Sequence, residues 1–345
     1  MSSSVVELNA RLLAPSGRIR GFIDRTLVRT LKEERDLPVF KFLIQMAVVL
    51  WSFAAALYVW GSPPWWLLLG YCAAALIYTP PYILALHVSS HRGVFKPGFR
   101  WLQTIAVWLL GPFAGQSPET YRVHHMGMHH TEGNMPDDLS STMAYKRDEV
   151  LHFAHYFGRF FFFVQLELGL YHARRGHWRL LRQLIVGEAS YLACLGLLLV
   201  LNPSVTLAVF VFPLLLARVG MMCGNWAQHA FIDASDPANP YRNSITCIDS
   251  PYNRRCFNDG FHIGHHVKPN RHWSEMAEDF LRNRSRYEAE GAIVFRGLDY
   301  FEIWVLLMLK KHRVLARRLV THASLSEDQR DALIRSRLLP VRLSD

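Results

Sequence analysis

Two runs of the chain carry no charge at all, and they limit the available folds more than any other feature. Residues 42–60 (FLIQMAVVLWSFAAALYVW) are 19 uncharged residues, and residues 65–86 (WWLLLGYCAAALIYTPPYILAL) are 22 more, separated only by GSPP. A helix needs roughly 20 apolar residues to cross the hydrocarbon core of a bilayer. The pair therefore predicts a transmembrane hairpin. A third uncharged run, 189–217, has 29 residues and is divided by NPS at 202–204. It predicts a second hairpin, with spans at 184–201 and 204–223. A soluble chain would have to bury all of this in one core, and adjacent uncharged runs joined by so short a turn fit a membrane better.

Charge orients the hairpins. The turns 61–64 and 202–204 hold no charge, whereas the N-terminal segment, residues 87–183 and residues 224–345 hold nearly every Lys and Arg. By the positive-inside rule both hairpins enter from the cytoplasm and return to it. The first 38 residues are polar, carry seven Lys/Arg and have no apolar run, so no cleavable signal is expected. The net charge of +10 reads as contact with anionic lipid, because basic stretches such as HARRGHWRLLR (172–182) and LKKHRVLARR (309–318) lie beside the spans. That placement argues against a nucleic-acid partner. Cys72, Cys194, Cys223, Cys247 and Cys256 form no CxxC pair and read as packing residues.

The expected organisation is an all-α integral membrane protein of two transmembrane hairpins (four spans) carrying a cytoplasmic helical cap. Residues 1–38 form a cytoplasmic amphipathic lead, 39–285 the membrane and metal domain, and 286–345 cytoplasmic basic helices. Residues 101–116 are apolar but short and read as a half-buried or re-entrant segment, and 155–172 as an interfacial helix. The last residues, from 325, read as a solvated helix. Glu188 and Arg218 should reach similar depth in the second hairpin, and a partly buried ion pair between them is expected beside the alternative that each reaches for the interface.

Ten of the 17 histidines fall in four groups, each after or between membrane segments on the same expected side. HVSSH places His87 and His91 at i and i+4, on one helix face. YRVHHMGMHH supplies His125, His129 and His130, with His124 as an alternative to His125. NWAQH places Asn225 four residues before His229. FHIGHH places His262, His265 and His266 on one face. A single HxxxH is weak evidence, and His152, His155, His172, His177, His272, His312 and His322 are assigned to surface or interface roles. The conjunction of four groups at one membrane face is hard to explain as packing. Nine imidazoles exceed the four ligands of one zinc ion, so at least two metals are implied, of the kinds that imidazole suits: iron, zinc, copper or nickel. HExxH is absent, and only Glu149 and His152 match the Glu-x-x-His pattern of soluble di-iron sites. Asp137, Asp138, Asp249 and Asp259 are candidates to hold the second ring nitrogens of the histidines.

With these motifs in this order, HxxxH at 87–91, HxxxHH at 125–130 and HxxHH at 262–266, the chain resembles the membrane fatty acid desaturase and hydroxylase superfamily, the histidine-box di-iron enzymes. The resemblance covers roughly residues 40–285. It implies that His87, His91, His125, His129, His130, His229, His262, His265 and His266 ligate two irons, with Asn225 contacting one through water. Many desaturases have two residues, not three, before the paired histidines of the second box, so His124 and His125 stay alternatives. NMPDDLSSTMAYKRD and SITCIDSPYNRRCFNDGFHIGHH are also similar to a bacterial branch near the enzymes that decarboxylate free fatty acids to terminal 1-alkenes.

The resemblance implies an oxidoreductase that uses dioxygen to remove hydrogen from a fatty acyl chain, by desaturation, hydroxylation or oxidative decarboxylation. It implies a fatty acid or acyl lipid as substrate, in the inner or cytoplasmic membrane if the source is bacterial, with the site facing the cytoplasm. No GxGxxG fingerprint and no fused haem module is present, so an external electron donor of ferredoxin, rubredoxin or cytochrome type, with its reductase, is expected. A metal transporter or haem carrier is the rival class, but it should place histidines within the spans near the midplane.

Overall fold

The computed structural model describes residues 21–342, and the expected amphipathic lead lies outside the described residues as far as residue 20. Almost every element is helical. Four helices are long and apolar enough to cross a membrane: Glu34–Trp60, Trp65–Arg92, Trp178–Leu201 and Pro203–Gln228. The runs 42–60 and 65–86 each lie inside one of these and the run 189–217 is shared by the last two, dividing at Asn202; each helix extends past its apolar stretch because the flanking polar residues continue it. The chain forms two compact units, one of Met128–Glu167 and residues 220–342, the other of residues 21–127 and Leu168–Val219.

In the second of these units the hairpin turns follow the turn chemistry of their residues. Gly61 ends the first span at a positive φ of 76° that only glycine adopts without strain. Asn202 caps the helix that follows it by accepting from the Val205 N–H, and its Nδ2 donates to the Gly61 carbonyl at 2.5 Å. One asparagine thus ties the two uncharged turns together. Tyr58 and Thr206 share a hydrogen bond of 2.7 Å just behind them. Met46, Leu50, Leu57, Tyr71, Val205 and Val209 are buried between the spans, while Trp60, Trp65 and Trp66 stand exposed around the first turn. That is where aromatic side chains collect at a membrane–water boundary.

The segment 101–116 does not run as one helix. Arg100–Ile105 gives way to a π turn at Ala106–Leu110 and a 3-10 turn at Gly111–Ala114, closed by Gly115 at φ 71°. A Cβ on Gly115 would collide with the Pro213 carbonyl, so only glycine fits there. Phe113 packs on Phe210 with ring centroids 4.9 Å apart, and the Tyr82 hydroxyl donates to the Ala106 carbonyl. Glu188 accepts from the hydroxyls of Ser117 (2.5 Å) and Thr120 (2.7 Å). The expected partner Arg218 also feels its charge.

In the first unit Trp226 is fully buried and sits in a cluster with Tyr156, Phe231, Ile303, Leu315, Ile334 and Leu338. A short parallel pair, Ile245–Ile248 with Ile293–Arg296, lies in the same unit. The final helix, Glu327–Arg337, corrects the expectation of a solvated tail, because Ile334 and Leu338 bury themselves in that cluster. The reason is one side chain far away in sequence. Arg147 is 0% exposed, and its guanidinium donates to the carbonyls of Thr142, Met143, Tyr145, Ala230, Arg337 and Leu339. Arginine's fixed fork of five N–H donors is suited to this. The tail therefore closes over the loop at 142–147 and over the chain just after His229.

Candidate metal centre

The second span breaks its own backbone pairing nearly two turns before its histidines, at Pro80 and Pro81, and then runs on as helix to Arg92. His87 and His91 fall on its last turns. The next histidines come on the helical stretch Thr120–Glu132, whose middle, His125–His129, is a π turn. Such turns widen a helix by one residue and often mark functional sites. In the unit of residues 21–127 and 168–219 the structure brings together His87, His91 and His125: the Nε2 atoms of His91 and His125 are 3.0 Å apart, and the rings of His87 and His125 have centroids 4.6 Å apart. His125 is the member of the second box that meets them, and His124 belongs to neither histidine group found among the described residues.

In the other unit His129, His229, His262 and His266 offer ring nitrogens that all lie within 4.8 Å of one another. His262 Nε2 is 3.3 Å from His229 Nε2 and 3.0 Å from His266 Nε2. His130 and His265 pair beside them, with Nε2 atoms 2.8 Å apart. The helix His262–Val267 delivers three of these rings from a strained approach: Phe257 and Asn258 both have positive φ, 49° and 59°. Phe257 stacks edge-on against Trp273, and Asn258 donates to the Trp273 carbonyl. Gly260 then passes so close to Asn253 and Cys247 that a Cβ would collide with both.

The tautomers follow from the outer partners. His129 Nδ1 is 2.7 Å from Asp138 Oδ2. Asp138 is itself fixed by the backbone N–H groups of Asn134 and Ser140 and by the Ser140 hydroxyl. His229 Nδ1 is 2.8 Å from the Asn243 carbonyl, which can only accept. Both rings therefore carry their proton on Nδ1 and turn a bare Nε2 lone pair toward their neighbours. Burial disfavours a proton on two members of the set. It depresses the pKa of His229 to about 4, with the neighbouring His129 adding to the effect, and it holds His266 well below the ordinary imidazole range. Neutral nitrogen donors that converge without protons between them repel one another unless a cation sits among them, so the donor set fits a metal ion with nitrogen ligands.

Of the acids expected to orient rings, Asp138 does so for His129. Asp249 pairs with Arg296 (3.0 Å), and Asp259 accepts from Tyr252 (2.7 Å) and Gln228 (3.3 Å). Asp137 is exposed. Asn225 gives its amide protons to the Ser140 carbonyl (2.9 Å) and the Tyr156 hydroxyl (2.7 Å).

Sequence reasoning missed Asn243 and Asn134, which hold each other at 2.6 Å beneath the site. The Asx- and Ser/Thr-rich stretch NMPDDLSST was the available signal, since such residues bond to nearby backbone. His172, His272 and His312, expected in surface or interface roles, are buried at 0%, 2% and 2% exposure. Lone histidines with local partners settle inside as readily as outside.

A family model, that of fatty acid desaturase, matches residues 63–297. No curated protein matches the chain.

Proposed function

Because the chain belongs to the fatty acid desaturase family, and is on that ground and by its four apolar helices an integral membrane oxidoreductase acting on fatty acyl chains, we propose that it is a di-iron oxidase of desaturase type whose site faces the cytoplasm. The observation that carries the reading is the convergence of ring nitrogens from His129, His229, His262 and His266 within 4.8 Å of one another, three of the four residues being buried. These four hold one iron. With His87, His91, His125, His130 and His265, nine histidines serve two irons in all, and Asn225 holds a water beside one of them.

When bound, the irons supply the means to reduce dioxygen with external electrons. In desaturation one dioxygen, two electrons and two protons are consumed, an acyl CH2–CH2 becomes CH=CH, and two waters leave. Hydroxylation with loss of one water, and decarboxylation of a free acid to a terminal alkene and carbon dioxide, use the same inputs. The electrons come from a separate ferredoxin, rubredoxin or cytochrome-type donor.

The protein's own part is to position and to exclude. Asp138 and the Asn243 carbonyl fix the protons of His129 and His229 on Nδ1. Tyr300 lies beside His262, with ring centroids 6.2 Å apart, and apolar cover of this kind strengthens the electrostatic interactions it shields from water.

Product analysis tests the reading. Membranes containing the chain are supplied with deuterated fatty acids, dioxygen and an electron donor, beside His129→Ala and His265→Ala. A product of unchanged length with one double bond or hydroxyl, or an alkene one carbon shorter, supports the oxidase and identifies its outcome. No histidine-dependent product contradicts it.

A further inference from the structure

A cavity of about 540 Å³ lies within the unit of residues 21–127 and 168–219. His91 forms part of its wall. Four cations, Lys32, Arg92, Arg100 and Arg122, face it against a single carboxylate, Glu119. Not all of this charge is available. Arg92 is paired with Glu33, and Lys32 donates to the Arg92 carbonyl at 2.7 Å. Glu119 is occupied in turn, because it accepts from the Trp108 indole N–H at 3.0 Å. It also sits at a positive φ of 64°, a conformation that a non-glycine residue holds only where its surroundings fix it. Arg100 and Arg122 remain, exposed, and neither enters an ion pair among the described residues.

The polar groups deeper in the wall, Ser89, Gln116 and Ser117, are buried. Such a pocket has charge at its mouth, hydrogen-bonding groups below and a histidine of the candidate metal centre in its side. An apolar chain alone gains nothing from it, because covering the two guanidinium groups without a partner costs their hydration. An anion of carboxylate or phosphate type satisfies them with charge-assisted hydrogen bonds, which arginine's planar fork makes in pairs.

We propose that this cavity holds the anionic head, a carboxylate or a phosphate, of the acyl substrate, and that Arg100 and Arg122 are the residues that select for it. The proposal rests on the reading of the chain as an acyl-chain oxidase, but binding tests it without turnover.

The experiment is equilibrium binding of tritiated hexadecanoate to the full chain in dodecyl maltoside, with hexadecyl phosphate and hexadecanol as competitors. In R100Q/R122Q the affinity for hexadecanoate should fall by about tenfold or more, the size of effect expected for charge-assisted contacts, while hexadecanol competes as in the unaltered chain. R100K/R122K should regain part of the loss. Displacement by hexadecyl phosphate at lower concentration than hexadecanoate itself makes the head a phosphate; the reverse makes it a carboxylate. Unchanged hexadecanoate binding in R100Q/R122Q, or an equal loss for hexadecanol, overturns the proposal. A chain that binds hexadecanoate as described yet oxidises no acyl chain would defeat only the oxidase reading.

Discussion

Asp138 Oδ2 lies 2.7 Å from Nδ1 of His129, with both groups buried. The contact decides which nitrogen of His129 is bare, and so whether the ring can serve a metal at all. Asp138→Asn keeps the shape but offers an amide that donates where the carboxylate accepts. Outer partners of this kind are worth about 10- to 100-fold in metal affinity. Iron titration of the metal-free protein should show a loss of that order in Asp138→Asn, and an unchanged affinity would contradict the assigned tautomer.

Metal removal should loosen the same unit. If His129, His229, His262 and His266 surround an ion, taking it away leaves four lone pairs facing one another. Ions that bind only the native state stabilise it by mass action. A chelator should lower the melting temperature of the detergent-solubilised chain, and re-addition of ferrous iron should restore it, with a smaller response to both in His262→Ala.

Arg147 should be indispensable to stability without touching the histidines. Its guanidinium serves six backbone carbonyls, and removing it strands buried acceptors at a cost of about 3 kcal/mol or more. Arg147→Met and Arg147→Lys should both unfold at lower temperature, since an ammonium has only three donors and no fork. Removal of residues 327–342 should have a similar effect, because the acceptors at Arg337 and Leu339 go with them. Equal melting temperatures in all three would remove the clamp from the account.

His312 gives a pH signature outside the site. Burial lowers its pKa and Arg335 assists, while Asp148, at 3.0 Å, and Asp331 oppose. A histidine whose folded pKa lies below its unfolded value of about 6.5 is neutral in the native state, and its contribution is complete above that pH. As pH falls below about 6.5 the unfolded chain takes up the proton first, so stability declines. Urea unfolding followed from pH 7.5 down to 5.5 should show this decline, and His312→Gln should flatten part of it.

The carboxylate of Glu188 is held by Ser117 and Thr120. Glu188→Gln keeps an oxygen acceptor for those hydroxyls, whereas Glu188→Leu leaves one buried and one half-buried donor unmatched, at about 1–3 kcal/mol for the buried one. Folded yield in membranes should therefore fall much further for the leucine than for the glutamine variant. Equal yields would mean that the charge acting on Arg218, not the hydroxyl pair, is what matters there.

The spans were legible because a bilayer demands length and apolarity from every crossing segment, and 42–60 and 65–86 show both without a single charge. The histidines were legible because HVSSH and FHIGHH put rings on one face by helix geometry alone. What could not be read was anything fixed by a distant backbone carbonyl. Nothing in the residues around Arg147 announces that Arg337 and Leu339 will return to it. Nothing near His229 names the Asn243 carbonyl, since a carbonyl is common to every residue. The buried His172 and His312 were misjudged for the same reason: their partners, His177 and Asp148, matter only once the chain has folded. Asp138 was one of four acids considered, and only its seat among Asn134, Ser140 and His129 separates it from the other three.

The central claim, that this membrane chain holds two irons on nine histidines, is most directly tested by counting metal. Elemental analysis of the full chain, purified in detergent from iron-supplemented cells, should find two irons per chain, falling by at least one in His129→Ala and in His265→Ala. One zinc per chain, or iron accompanied by a haem absorbance band, would contradict it.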